Sequence, residues 1–261
     1  MNLFIVSAIF LFIYMNVAFV VSLVKKNNGF ADVFYGGGFL LIALISYLYS
    51  RYNSSSFILL LLVAMWAIRL IVRIYLRNRN KDEDYRYKKM RDNWGKNVVV
   101  RSYLQIYISQ GIVIYIVALP IIFLAAFNNL SNIFIFLIIG ILGWLIGFLF
   151  EFIADLQLDR FIKNPENKGQ LLTTGLWKYS RHPNYFGEAL IWWSVAVFVL
   201  GGIYFNLGLM SLVIFVSPIL ITYTLLRYSG VPMLEKKAQE KPGWDEYKRK
   251  TSVFIPLPPK Q

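Results

Sequence analysis

Residues 178–188, Lys-Tyr-Ser-Arg-His-Pro-Asn-Tyr-Phe-Gly-Glu, hold the densest group of chemically useful side chains in this sequence. Lys178 and Arg181 carry charge suited to phosphate or carboxylate groups. Pro183 suits the first turn of a helix, where unpaired backbone N–H groups also attract anions. Asn184 and Glu188 stand one helical turn apart and can hydrogen-bond an amide or a sugar hydroxyl. His182 is the single histidine, flanked by Arg181 and Pro183. On residue chemistry alone, this segment reads as a site for an anionic cofactor.

Other polar residues interrupt apolar surroundings. Glu151, Asp155 and Asp159 recur every fourth residue, which puts them on one face of a helix. Arg69 and Arg73 share the same spacing, and Asp32 opens an apolar run. Ionisable side chains in such runs are costly and mark functional sites by default; pairing between the arginines and the acidic stripe is the structural alternative. With no cysteine and one histidine, disulfides, thiolate nucleophiles and multi-histidine metal sites are excluded, so no metal site is expected.

The elements that must position these groups are membrane helices. Of 261 residues, 57% are hydrophobic and 16% charged, with mean hydropathy +0.54. A soluble domain carries about 25% charged residues. Apolar runs near the length of a spanning helix fall at about 3–24, 31–49, 57–76, 103–127, 132–161, 185–204 and 207–228. We therefore expect an all-α polytopic membrane protein, one domain over 1–261, with about seven transmembrane helices. Residues 3–100 hold the first three and a basic loop; 101–261 hold the rest with the polar tail. Lys and Arg concentrate in alternate loops and in the tail, which places the N-terminus outside and the C-terminus in the cytoplasm. The net charge of +13 is distributed between apolar runs, as topology and headgroup contact require, so nucleic acid is not an expected partner. Gly36–Gly38 lacks the spaced dinucleotide pattern and reads as close helix packing, as do Gly143 and Gly147. Pro120 and Pro218 read as packing kinks.

The segment "QLLTTGLWKYSRHPNYFGEALIWW" (170–193) resembles the hallmark loop of the steroid 5α-reductase superfamily, C-terminal domain type. "ADVFYGGGF" (31–39), "FLFEFIADLQLDRFIKNPENKG" (148–169) and "SGVPMLEKKAQEKPGWDEYKRKTSVFIPLPPK" (229–260) extend the likeness over almost the whole chain. Together they look like that superfamily's bacterial branch of uncharacterised function. The resemblance implies seven spans holding NADPH in a cavity open to the cytosol. It also implies hydride transfer to an activated carbon–carbon double bond of a small hydrophobic enone taken from the bilayer. By motif, Asn184 and Glu188 would contact the nicotinamide half, with Tyr185 and His182 close by, and Asp155 would bind cofactor. Lys178, Tyr179 and Arg181 would meet phosphates or ribose, and Tyr247 would cover the adenine side. Richness in Asn, Ile and Lys points to a bacterial inner membrane. The oligomeric state is not read from these residues.

The sequence departs from the animal steroid reductases where the substrate carbonyl is held. In place of their glutamate on the second span it offers Asp32 and Tyr35, and Trp66 stands where a tyrosine is expected on the third. Trp66 can donate a hydrogen bond to substrate but is no proton-donating acid. Asp32 or Tyr35 is thus the expected donor, Asp32 only if protonated. Two rivals remain: an S-adenosylmethionine-dependent methyltransferase of the isoprenylcysteine carboxyl methyltransferase type, and a non-catalytic lipid- or nucleotide-binding membrane protein. The Asn184-Tyr185 pair, and a tail without an Arg-Glu-Glu-type motif near Glu235, favour the reductase.

Overall fold

A computed structural model describes residues 2–79, 82–127, 133–228 and 230–260. Twelve α-helices follow one another among these residues: α1 Leu3–Lys25, α2 Phe30–Tyr49, α3 Ser54–Asn78, α4 Tyr85–Trp94, α5 Val98–Ser102, α6 Ser109–Val117, α7 Leu119–Phe127, α8 Phe134–Lys163, α9 Pro183–Leu207, α10 Val216–Tyr223, α11 Val231–Ala238 and α12 Trp244–Lys250. π-Helical turns at Tyr103–Ile108 and Thr224–Tyr228 continue neighbouring helices. No strand forms among the described residues beyond one isolated bridge, Ser180 to Ser252.

Among the described residues, five helical stretches are long and apolar enough to cross a membrane, or six if the bent pair Tyr85–Val117 and Leu119–Phe127 makes one crossing. The expected sixth and seventh spans lie in one of these, Pro183–Ala238, which counts once although it has 56 residues. At 1.5 Å per residue such a stretch is about 84 Å long, against roughly 30 Å of hydrocarbon. It is not one straight helix, because Gly208 adopts φ +53° and 3-10 geometry continues to Phe215. The expected fourth span bends by 44° between α6 and α7. Pro120 follows the break and has no N–H to give its helix, so the expected kink is found where the ladder loses a donor.

Large apolar side chains cover the outer faces, among them Ile5, Phe12, Val24 and Phe134. Lipid is as apolar as these groups, so they are not driven inward; close helix packing supplies cohesion instead. The chain divides into two units, residues 1–132 with 202–214 and residues 133–201 with 215–261.

In the first unit, α2 packs against α1 and α3. Gly36 on α2 faces the Ala67 carbonyl of α3, where an added Cβ would lie at 3.2 Å, in keeping with a packing role. Asn53 caps α3 by accepting from Ser55 N and Ser56 N, and Asp84 caps α4 by accepting from Arg86 N. The Arg91 guanidinium clasps both carboxylate oxygens of Glu83 at 2.9 Å and reaches the Lys26 carbonyl at 3.3 Å. Glu83 also accepts from Asn28 N at 2.7 Å. Burial pushes the Glu83 carboxyl up, but the bonds from Arg91 and Asn28 and the Arg91 charge outweigh it and hold it below the ordinary 4.5.

In the second unit, α8 and α9 cross with almost no gap. A Cβ on Gly187 would lie 2.5 Å from Glu151 N and 2.6 Å from Gly147 O, and one on Gly147 would lie 2.8 Å from Gly187 O. Gly143 opposes Ser194 in the same seam. The packing role expected for Gly143 and Gly147 is what the crossing requires. The seam fixes the start of α9 against Glu151, the first residue of the acidic stripe of α8.

Candidate functional site

Asp155 on α8 and Asn184 in the first turn of α9 meet. Asn184 Nδ2 donates to Asp155 Oδ1 at 3.2 Å, and Asp155 is 2% exposed. That bond orients the amide, since a carboxylate accepts only from the NH2 end. The other end, Asn184 Oδ1, is buried without a hydrogen-bond partner among the described residues. A buried acceptor left unmet costs about 1–3 kcal/mol, so this oxygen is a place where a ligand N–H would be favourable. Glu188 lies one turn further along α9, half-buried beside the Gly187 crossing.

His182 precedes the helix and is 4% exposed. Its Nε2 stands 3.3 Å from Glu235 Oε1, while Nδ1 is buried without a partner. Tyr185 stacks on the imidazole, with ring centroids 5.5 Å apart and planes 6° from parallel.

Arg181 is committed elsewhere than the sequence suggested. Its Nε donates to Glu235 at 2.8 Å, and Nη1 donates to the Lys248 and Thr251 carbonyls at 3.0 and 2.6 Å. Its guanidinium also lies 5.7 Å from the Trp244 ring centre. These bonds hold the polar tail, and most of the donor fork expected to meet phosphates is spent on them.

The same tail closes over residues 176–181 by further bonds. Arg181 N donates to Ser252 O at 2.8 Å, Ser180 Oγ to Phe254 O at 2.7 Å, and Leu257 N to Tyr179 O at 3.0 Å. Tyr247 donates its hydroxyl to Trp177 O at 2.6 Å, and burial pushes that phenol well above its ordinary value of 10.0. Trp177 in turn donates its indole N–H to Ala154 O on α8 at 3.1 Å. Gly175, at φ +63°, permits the turn that brings Leu176 N to Gln157 Oε1 at 3.0 Å.

Between loop and tail lies an open groove of about 590 Å³ whose walls include Lys178, Tyr247, Gln170, Thr173 and Lys250. Lys178 and Tyr247, 69 positions apart in sequence, thus share one recess. Tyr179 is 42% exposed and contributes its carbonyl to the tail.

The residues expected to act on substrate belong to the first unit. Asp32 accepts from Tyr87 hydroxyl at 2.6 Å on one oxygen and pairs with Arg86 at 2.9 Å on the other. Both oxygens therefore act as acceptors, which does not fit the protonated donor that sequence reasoning required of Asp32. Tyr35, one turn later, packs its ring on Phe39 at 5.1 Å and on Trp66 at 6.4 Å. Trp66 is 1% exposed, so its place beside Tyr35 is a packed one. Among the described residues no group of His, Asp and Glu is arranged to hold a metal ion.

Sequence reasoning did not single out Glu235, Trp177, Arg86 or Tyr87. No local period marks them, since their partners lie 23 to 55 residues away.

A family model described as a protein of unknown function, DUF1295, matches residues 18–251. The chain belongs to that family. It is also similar to an uncharacterised protein of Schizosaccharomyces pombe, C594.04c, with 28% identity over 234 residues, covering 76% of this chain and 64% of that protein. The chain thus spans just under two thirds of that relative's length. No solved structure matches it.

Proposed function

We propose that the protein is a membrane-embedded reductase that uses NADPH to reduce an activated carbon–carbon double bond of a lipid-like or steroid-like enone. The reading is supported by the likeness of 170–193 and its flanking motifs to the steroid 5α-reductase superfamily. The single observation that carries it is the orphaned Asn184 Oδ1, aimed by Asp155.

The residues present fit such a cofactor. Asn184 Oδ1 can accept from the N–H of a carboxamide, as a nicotinamide presents. Tyr185 and His182 supply a stacked pair of rings at the same helix start. Lys178 and Tyr247 flank the groove in which a phosphorylated, aromatic end of the ligand would be accommodated. Arg181 then acts at one remove, by holding the tail that forms one wall. NADPH, when bound, supplies the hydride.

The chain's own groups do the rest. Asp155 fixes the Asn184 amide, so that its acceptor end is already oriented before ligand arrives. With Asp32 engaged by Arg86 and Tyr87, Tyr35 is the residue assigned to stabilise oxygen charge that develops as the β carbon accepts hydride. The α carbon then takes a proton, giving the saturated ketone. The cofactor site faces the cytoplasm of a bacterial inner membrane, with the N-terminus outside, and substrate enters from lipid.

The test is a titration of the purified protein in nanodiscs with NADPH, read by tryptophan quenching. Binding that Asn184→Leu weakens about tenfold or more, as loss of a buried hydrogen bond predicts, supports the reading. Absence of NADPH binding together with S-adenosylmethionine binding replaces it with the methyltransferase. NADPH binding without oxidation across a panel of enones replaces it with a non-catalytic nucleotide-binding protein.

A further inference from the structure

The basic residues around α4 divide into two sets with different tasks. Arg86 and Arg91 turn inward. Arg86 bridges Asp32 at 2.9 Å and Asp84 at 3.0 Å, and Arg91 holds Glu83 at 2.9 Å. They share a helix face with buried Tyr87 and half-buried Met90 and Trp94, at the three- and four-residue spacing of an inward stripe. Lys88 and Lys89 occupy the opposite face with exposed Asp92 between them, and Lys96 lies within the 3-10 turn Gly95–Asn97 that follows. All three lysines are exposed and take part in none of the ion pairs found among the described residues.

Two further observations place this face against lipid. Val99 and Val100, which follow directly, are 49% and 60% exposed, as apolar side chains are where a helix enters hydrocarbon. The bond from Arg91 to the Lys26 carbonyl brings exposed Lys26, at the end of the apolar α1, to the same end of the unit. Positive charge that internal acids do not neutralise therefore lies at the mouth of two membrane-crossing elements. A lysine face made only for solubility would not need arginines beneath it to absorb all the nearby carboxylates except Asp82 and Asp92.

We propose that the outer face of α4, with Lys88, Lys89, Lys96 and Lys26, is a docking surface for the phosphate headgroups of anionic phospholipids. The arginines fix the helix on the protein, and the lysines hold the negative membrane surface to it. Such contact is electrostatic and weakens with salt. It is independent of the proposed reductase activity.

The full chain is reconstituted in nanodiscs of phosphatidylcholine containing spin-labelled phosphatidylglycerol or spin-labelled phosphatidylcholine, and the motionally restricted fraction of each label is measured. The wild type is expected to prefer phosphatidylglycerol severalfold at 50 mM salt and to lose most of that preference at 500 mM, where the Debye length has fallen from about 14 Å to about 4 Å. Lys88→Gln with Lys89→Gln and Lys96→Gln is expected to abolish the preference, since each charge near the surface is worth about fivefold. Lys236→Gln with Lys248→Gln, on the tail, controls for net charge and leaves it unchanged. Equal restriction of both lipids by the wild type overturns the proposal. So does a triple variant that keeps the wild-type preference, or a tail variant that loses as much. The substituted lysines make no internal bond, so all variants fold; unchanged thermal unfolding verifies this.

Discussion

Arg181 and Glu235 are 54 residues apart in sequence and 2.8 Å apart in space, each largely withdrawn from solvent. Around that ion pair the tail carbonyls of Lys248 and Thr251 complete the arginine's bonds. Removing the arginine leaves the Glu235 charge largely buried with only the His182 imidazole, at 3.3 Å, beside it, and breaking such a pair costs about 3–5 kcal/mol. Arg181→Ala should therefore lower the unfolding temperature strongly and expose residues 231–260 to limited proteolysis. Arg181→Lys should rescue little, because one ammonium cannot reproduce a fork that serves a carboxylate and two carbonyls. Resistance of the Arg181→Ala tail to protease would contradict this account.

The α8–α9 crossing gives a second prediction. Gly187→Ala puts a methyl group 2.5 Å from Glu151 N and 2.6 Å from Gly147 O, both backbone atoms that cannot rotate away. The helices must part, at a cost of about 1–3 kcal/mol. The start of α9 moves with them, so under the proposed function NADPH affinity should fall as well. Thermal unfolding and ligand titration of the same sample check both effects.

Asp32 and Tyr35 should separate cleanly. Asp32→Asn weakens the ion pair with Arg86 and so lowers stability, with Tyr87 still able to donate to the amide oxygen. Tyr35→Phe leaves the ring packing on Phe39 and Trp66 intact but removes the hydroxyl. Under the proposed function it lowers enone-dependent NADPH oxidation by about 10²–10³. Full turnover in Tyr35→Phe would remove that assignment.

Glu83 supplies a pH dependence. Its carboxyl is held below the ordinary 4.5 in the folded chain. Stabilisation from this group is therefore complete above about 4.5 and is lost as pH falls through the lower folded value. Unfolding temperatures measured from pH 6 down to pH 3 should decline for the wild type. In Glu83→Gln the part of that decline due to this carboxyl should be absent, from a lower starting stability at pH 6.

Much of this arrangement is legible in the order of residues. Apolar runs and their lengths give membrane-crossing helices directly, Pro120 marks its bend, and Gly143 and Gly147 mark a seam. Pro183 marks where α9 begins, and Asp155 and Asn184 each stand out in the sequence by the residues around them. What the linear pattern does not carry is pairing at long range. Arg181 reads as an anion-binding group because its neighbours are loop residues; its true partner, Glu235, lies in a tail with no period to connect them. Asp32 reads as a lone acid in an apolar helix for the same reason, since Arg86 and Tyr87 sit on a separate helix. The span count differs in two places. There the helix is interrupted by backbone geometry, at Gly208 inside one long stretch and at the α6–α7 bend inside one expected span, rather than by a charged loop.

The pairing of residues 179–181 with 252–257 also sets an order of events during synthesis. About seventy residues separate the two strips, so at roughly 5–20 residues per second the later one emerges some 4–14 s after the earlier. For that interval α8 and α9 can already be threaded into the bilayer while the Arg181 guanidinium still faces water. Closure of the recess beside Lys178 cannot precede that emergence, and a ribosome that stalls before Ser252 would leave behind an inserted bundle with an unfinished door.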